Sequence, residues 1–235
     1  MDAALRDSAA KWLAEAVQTG HPIEPLPPLA TPRSMLDGQR IAARVLDMLD
    51  TPSCGLRLAS PTNGRPVPGP VLEERLVKDG STLSLGSLRH ARATAAVIGV
   101  LAADLPRRDD VLPTFSALHP AIDVGSWRLQ EPPSTGALAA ADLAGLGFIV
   151  AGKGRRMAPM RLRISLATAG TWRRGEEVDL EEALFSVALA ARRAGGLPEG
   201  AMLVAALGEA VMPQPGLELN ASFGRLGRVT VRFES

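Results

Sequence analysis

The stretch with the clearest chemical potential runs from Ala91 to Asp123. Its first half, ARATAAVIGVLAADLP, reads as a buried strand running into a turn. Its second half, RRDDVLPTFSALHPAIDV, reads as a short helix over Arg107–Phe115 and then a strand over His119–Val124 that carries a carboxylate, Asp123. Two such strands side by side could frame an active site. The first strand offers Arg92 and Thr94 but no acid, so the carboxylate cluster that a hard divalent cation requires is missing there. His90 precedes this strand, and His119 precedes Pro120 in the second.

The elements that must position these groups follow from periodicity and punctuation. Residues 2–18 carry Ala4, Leu5, Ala9, Trp12, Leu13 and Ala16 at helical spacing, and Gly20 stops them. HPIEPLPPLATP is a proline-rich connector. A second helix is expected from a cap at Ser34 or Asp37 through Met48. Beyond Cys54 short strands dominate: Gly55–Ser60, Val71–Val77, Ser81–Leu85, Ala91–Leu101, Gly147–Ala151 and Arg161–Ala167. Pro61–Pro70, with four prolines and two glycines, reads as a loop. An Ala-rich short helix follows the loop Glu131–Gly136. Asp179–Arg193 is the strongest helix, with Asp179 as cap, acids in its first turn and Arg192 and Arg193 in its last. Ala201–Leu207, Leu217–Ser222 and Arg228–Phe233 close the chain as strands. Regular strand–helix alternation is absent, so the expected class is α+β: a mixed β-sandwich roll with flanking helices. Residues 1–52 are expected to form an N-terminal helical cap and residues 53–235 the β-roll domain.

Composition narrows the function. The net charge of +1 gives no electrostatic case for a nucleic-acid or membrane partner. Tyr is absent, with three Trp and five Phe, so stacking surfaces for bases or sugars are scarce. The single cysteine, Cys54, excludes a disulfide framework within the chain and fits a reducing compartment. The N-terminus carries acids and no apolar signal core, and no apolar run approaches the ~20 residues of a membrane span. A cytoplasmic protein is expected.

Several segments taken in order carry a resemblance: PIEPL after the first helix, Gln39-Arg40-Ile41, VIGVLAADLP, HPAIDV, ADLAGLGFIVAG, GAMLVAALG and the closing LGRVTVRF. Together they resemble the 2-keto-4-pentenoate hydratase and 4-oxalocrotonate decarboxylase branch of the fumarylacetoacetate hydrolase superfamily, over nearly the whole chain. The resemblance implies a β-roll fold and lyase chemistry on a 2-oxo acid. In that family Mg or Mn is held by an E-x-E pair and a third carboxylate, and a lysine assists proton transfer. This chain departs at those positions. Thr94-Ala95-Ala96 stands where E-x-E should be, Asp123 replaces the third carboxylate, and Arg57 falls at the lysine. Leu143 replaces an Asn, and Val204-Ala205 a Thr-Gly.

The resemblance therefore implies a degenerate metal site, with no metal and no other cofactor expected. Arg57, Asp123 and His90 are the candidate catalytic residues; Arg92, Thr94, Ser60 and Lys153 are the candidate substrate-binding residues. Arg57 cannot shuttle protons, because a guanidinium stays charged, but it can grip a carboxylate. The competing readings are plain ones: Arg57 paired with Asp123 or another acid, Arg92 and His90 on a solvated strand end, Lys153 in an exposed turn. The expected partner is a small carboxylate metabolite, and the expected assembly a homo-oligomer. Two functions remain open. One is a metal-independent hydratase or decarboxylase relative acting on a 2-oxo dienoic acid. The other is an inactive copy that binds or assembles with a partner pathway enzyme.

Overall fold

The computed structural model describes residues 1–59, 66–171 and 173–235. Two helices open the chain, α1 (Ala3–Thr19) and α2 (Met35–Leu49). Ser34 caps α2 by accepting from the Asp37 amide, one of the helix-start donors that would otherwise lack a partner. The strands are β1 (Ser53–Ala59), β2 (Val67–Leu72), β3 (Leu76–Lys78), β4 (Thr82–Ser84), β5 (Arg92–Leu101), β6 (Phe115–Gly125), β7 (Leu146–Ala151), β8 (Arg161–Thr168), β9 (Glu176–Asp179), β10 (Met202–Val211), β11 (Glu218–Ser222) and β12 (Arg228–Glu234). Two more helices, α3 (Gly136–Ala141) and α4 (Leu180–Ala194), interrupt them. The α+β class with a β roll and an N-terminal helical pair is what forms.

The strands make two mixed sheets. One has seven strands in the order β2-β1-β10-β5-β6-β7-β3, and the other has five in the order β4-β12-β11-β8-β9. The seven-stranded sheet is the middle layer. One face carries Ala95, Val97, Ile122, Val124, Leu203 and Ala205, and packs on the five-stranded sheet and α4. The other face carries Ala96, Ile98, Ala121, Ile149 and Val204, and packs on Ala9, Leu13, Ile41 and Val45 of the two N-terminal helices. Period-two alternation thus sends neighbours on one strand into different apolar cores. Both faces are covered, which is why β5 reads as a near-continuous apolar run.

Three local expectations are corrected. Arg107–Phe115 is not a helix: the chain is irregular to Thr114, and β6 begins at Phe115. Asp109 accepts from the Val111 amide in a local turn, and the buried Arg192 guanidinium donates to the Val111 carbonyl, so these groups are tied by side chains instead of a helical ladder. Pro61–Pro70 is not all loop, because β2 starts at Val67 and takes in Pro68 and Pro70. Prolines are tolerated there because β2 is the outermost strand of its sheet. Val71–Val77 is broken by a 3₁₀ turn at Glu73–Arg75. The short strand β9 went unread, since EEVD lacks an apolar alternation. Gly38 is required where α2 crosses α3: a Cβ there would lie 2.1 Å from the Ala137 carbonyl oxygen.

Candidate active site

β5 and β6 run antiparallel with Thr94 opposite Asp123, so both side chains emerge on the same face of the sheet. Ala96 follows on that face, opposite Ala121. Arg57 sits on β1 opposite Val204 of β10, and Val204 in turn opposes Ile98 of β5. Arg57 therefore shares the face of Thr94 and Asp123, two strands beyond β5. Small side chains at Ala96 and Ala206 stand between and leave room for the guanidinium. Arg57 Nε comes to 3.4 Å from Asp123 Oδ2.

This pair is buried. Arg57 is 2% exposed and Asp123 5%. Arg57 Nη2 donates to the Ala144 carbonyl at 3.0 Å. Among the described residues, Arg57 Nε and Nη1 and Asp123 Oδ1 have no hydrogen-bond partner. The 3.4 Å approach is thus an ion pair without a directed hydrogen bond. Burial pushes the Asp123 carboxyl above its ordinary pKa, and the positive charge of Arg57 only partly offsets this. Burial likewise pulls the Arg57 guanidinium down, while Asp123 holds it up.

The Ala144 carbonyl reaches Arg57 because the backbone turns left-handed before β7. Leu143 (φ 50°), Ala144 (φ 53°) and Gly145 (φ 65°) follow one another in that region. Two consecutive non-glycine residues there are unusual and cost of order 1–3 kcal/mol each. The segment is held from both sides. The Trp127 ring packs so tightly on Gly145 that a Cβ would lie 2.7 Å from it. Asp142, which precedes the segment, is buried and meets Arg128 Nε at 2.6 Å. Arg128 also donates to the Ser126 and Asp142 carbonyls.

A cleft opens above the Arg57–Asp123 pair, lined by both residues and by His90, Arg92, Thr94, Trp127 and the Ala144–Gly145 backbone. The structure thus gathers Arg57, Asp123, His90, Arg92 and Thr94. His90 is exposed, with a positive φ of 50°, and its Nε2 lies 2.6 Å from the Gln130 carbonyl oxygen. Ser60 lies outside the described residues. Lys153 does not line the cleft; it is exposed just past the far end of β7, next to Gly152, whose amide donates to Pro120. His119 points to the same end, with Nδ1 3.0 Å from the Gly152 carbonyl oxygen. Sequence reasoning missed Trp127, Arg128 and the Ala144 carbonyl. One signal was available for Trp127, a rare residue in an aromatic-poor chain, but nothing local marks Arg128 as the partner of Asp142.

The donor set does not fit a divalent cation. On the face of Thr94, Ala96 and Asp123 there is one carboxylate, and a guanidinium lies against it. Among the described residues no three His, Cys, Asp or Glu side chains come together as metal ligands. Residues 60–65, SPTNGR, contain no acid. A hard cation here would meet one anionic oxygen and a fixed positive charge. What the arrangement offers instead is a buried cation with two donor nitrogens unused among the described residues, beside a carboxyl whose pKa burial raises.

No protein-family model matches the sequence, and no curated protein sequence matches it. Solved structures do. The 4-oxalocrotonate decarboxylase from Pseudomonas putida G7, complexed with magnesium and adipate, superposes with a TM-score of 0.82 at 17% identity, over 99% of this chain and 98% of that one. The same enzyme with calcium and acetate gives 0.81 at 17% identity, over 99% and 98% of the two chains. The 2-hydroxyhepta-2,4-diene-1,7-dioate isomerase from Mycobacterium marinum gives 0.59 at 11% identity, over 78% and 76%. At these identities the likeness is one of fold: the chain shares the decarboxylase's fold over nearly its whole length, as the resemblance to the fumarylacetoacetate hydrolase superfamily implied.

Proposed function

We propose that the chain binds and transforms a small 2-oxo dienoic acid in the Arg57–Asp123 cleft, without a divalent cation. The observation that carries this is the buried Arg57 guanidinium, whose Nε and Nη1 make no hydrogen bond among the described residues, at the base of a cleft whose mouth carries Arg92 and His90. The end-to-end fold likeness to a decarboxylase that was solved with adipate supports the substrate class.

In this reading Arg57 grips a substrate carboxylate, and its fixed charge, with Arg92, stabilises the dienolate left when the carbon–carbon bond breaks and carbon dioxide departs. Fixed donors in a site that excludes water can do this without a metal. Asp123, whose pKa burial raises, is the group placed to pass a proton to the enolate carbon. Thr94, opposite Asp123, orients the oxo group, and the reaction is that of a carbon–oxygen or carbon–carbon lyase.

The test is calorimetric titration with 2-oxopent-4-enoate and oxalocrotonate, with EDTA and then with Mg, followed by turnover assays. The reading expects binding that is indifferent to Mg and is lost in Arg57→Ala. Binding only in the presence of Mg would sink it. A second reading, a catalytically silent subunit that serves a partner enzyme, draws on the occlusion of Arg57 and Asp123, both nearly shut from solvent. Silence with every acid would favour it, and a pull-down for the partner would follow.

A further inference from the structure

A second pocket lies on the other side of Trp127, between the last turn of α1 and the segments Arg75, Ser87–Arg89 and Ser126–Arg128. It encloses about 540 Å³, including the solvent at its mouth. Its polar lining is His21, Arg75, Ser87, Arg89, Ser126 and Arg128, so three arginines line one concavity.

The negative charge around it is small and already committed. Asp142 is spent on Arg128. Arg128 donates to the Ser126, Asp142 and Leu146 carbonyls and has its Nε against Asp142, so what it offers the pocket is mainly charge. Arg75 is different. Its guanidinium lies 5.3 Å from the Phe148 ring centroid, and its nearest acid is the exposed Glu74, at a loose 3.8 Å. Burial, and next the charge of Arg128, push the Arg75 pKa down, so it is half-buried beside a like charge. The Arg89 side chain is exposed and enters no ion pair among the described residues. Nor does any of the three guanidiniums donate to the carbonyls that end α1. Arginines gathered this way repel one another unless an anion joins them, and guanidinium forks match tetrahedral oxyanions.

We propose that this pocket is a site for a compact doubly charged oxyanion of phosphate size, held by Arg75 and Arg89, with Arg128 adding charge; the Ser87 hydroxyl beside them is already committed to the Ser84 carbonyl. The site is independent of the acid-binding cleft, from which the Trp127 ring separates it.

The experiment titrates the full chain with inorganic phosphate at low, constant ionic strength, and repeats the titration with Arg89→Ala, Arg75→Lys and Asp123→Asn. Saturable binding is expected. It should weaken at least tenfold in Arg89→Ala, less in Arg75→Lys, which keeps the charge and loses the fork, and stay unchanged in Asp123→Asn. Arg89→Ala removes an exposed side chain, so its fold is secure, and circular dichroism checks this. Two-dimensional NMR should show phosphate-dependent shifts at the Trp127 indole and at Ser87–Arg89 amides. Absence of saturable binding, or equal binding by wild type and Arg89→Ala, overturns the site. Binding that tightens in Asp123→Asn and is unmoved in Arg89→Ala overturns it too, because loss of the carboxylate beside Arg57 can favour the anion only in the cleft, which would leave the second pocket as packing alone. A phosphomonoester that binds more tightly than phosphate, and loses its affinity in Arg89→Ala, would identify the source as a phosphorylated metabolite instead of the free ion.

Discussion

Arg57 on β1 and Asp123 on β6 meet at 3.4 Å although β10 and β5 lie between their strands. Neither charge has another charged partner among the described residues. Removing one partner therefore leaves the other buried and uncompensated. Arg57→Met should cost about 3–5 kcal/mol of stability at neutral pH, while the double variant Arg57→Met/Asp123→Leu should recover most of that, since an apolar pair of similar size often matches a buried ion pair. Urea unfolding of the three proteins measures it. A double variant as unstable as the single one would show that the pair is not what holds this region.

The pH dependence has a defined sign. The Asp123 and Asp142 carboxyls are both raised by burial, so the folded chain binds their protons more tightly than the unfolded chain does. Their contribution is fully present below the ordinary carboxyl value of about 4 and is lost as pH rises through the raised values. Asp37 and Asp179 have lowered values, Asp37 mainly through Ser34 and Asp179 mainly through Arg161. Their contribution is present above the ordinary value and lost as pH falls below it. Stability should thus decline on raising pH just above about 4, and Asp123→Asn should flatten part of that slope. Thermal melts at closely spaced pH values report it; an unchanged slope would mean that Asp123 titrates normally.

Asp142 does not line the cleft, yet it anchors the segment whose Ala144 carbonyl holds Arg57. Asp142→Asn keeps the volume but removes the charge opposite Arg128. It should lower stability by roughly 3 kcal/mol and weaken acid binding at the cleft several-fold. A variant that lost stability but kept wild-type affinity would show that the segment stands without its anchor.

Magnesium at millimolar concentration should leave the melting temperature of the wild-type chain unchanged, because a ligand stabilises only what it binds. The variant Thr94→Glu/Ala96→Glu, which places two carboxylates beside Asp123, should melt lower without metal and recover when Mg is added. A rise in melting temperature for the wild type would reveal a cation site that the donor set does not suggest.

The sequence speaks most clearly where one local cause acts alone. Asp179 caps α4 by accepting from the Glu181 and Glu182 amides, and the helix it starts was legible from that residue and the charges around it. β5, β6 and β7 were legible as apolar runs, and Asp123, Arg57, Thr94, Arg92 and His90 as a possible group. The pairing of Arg57 with Asp123 was open as one alternative among several, since 66 residues separate them and only the sheet order β1-β10-β5-β6 brings them together. Arg107–Phe115 misled because its charges and apolar residues alternate like a helix, while Pro113 and the buried Arg192 guanidinium favour an extended path. The Arg128–Asp142 pair stayed hidden because its cause is tertiary: a left-handed turn that no glycine pattern announces, save at Gly145.

Pro68 and Pro70 have a consequence beyond the strand that holds them. β2 is the outer margin of the seven-stranded sheet, and its register sets Gly69 opposite Arg57, with a proline on either side. Alternate residues of an edge strand turn their amides outward, and here two of those have no N–H to give. The opposite margin, β3, is three residues long. Neither side can template another strand, so the sheet resists the edge-to-edge growth that leads to fibrils. Copies of this chain therefore cannot associate by extending this sheet, and the sheet itself ends where it does.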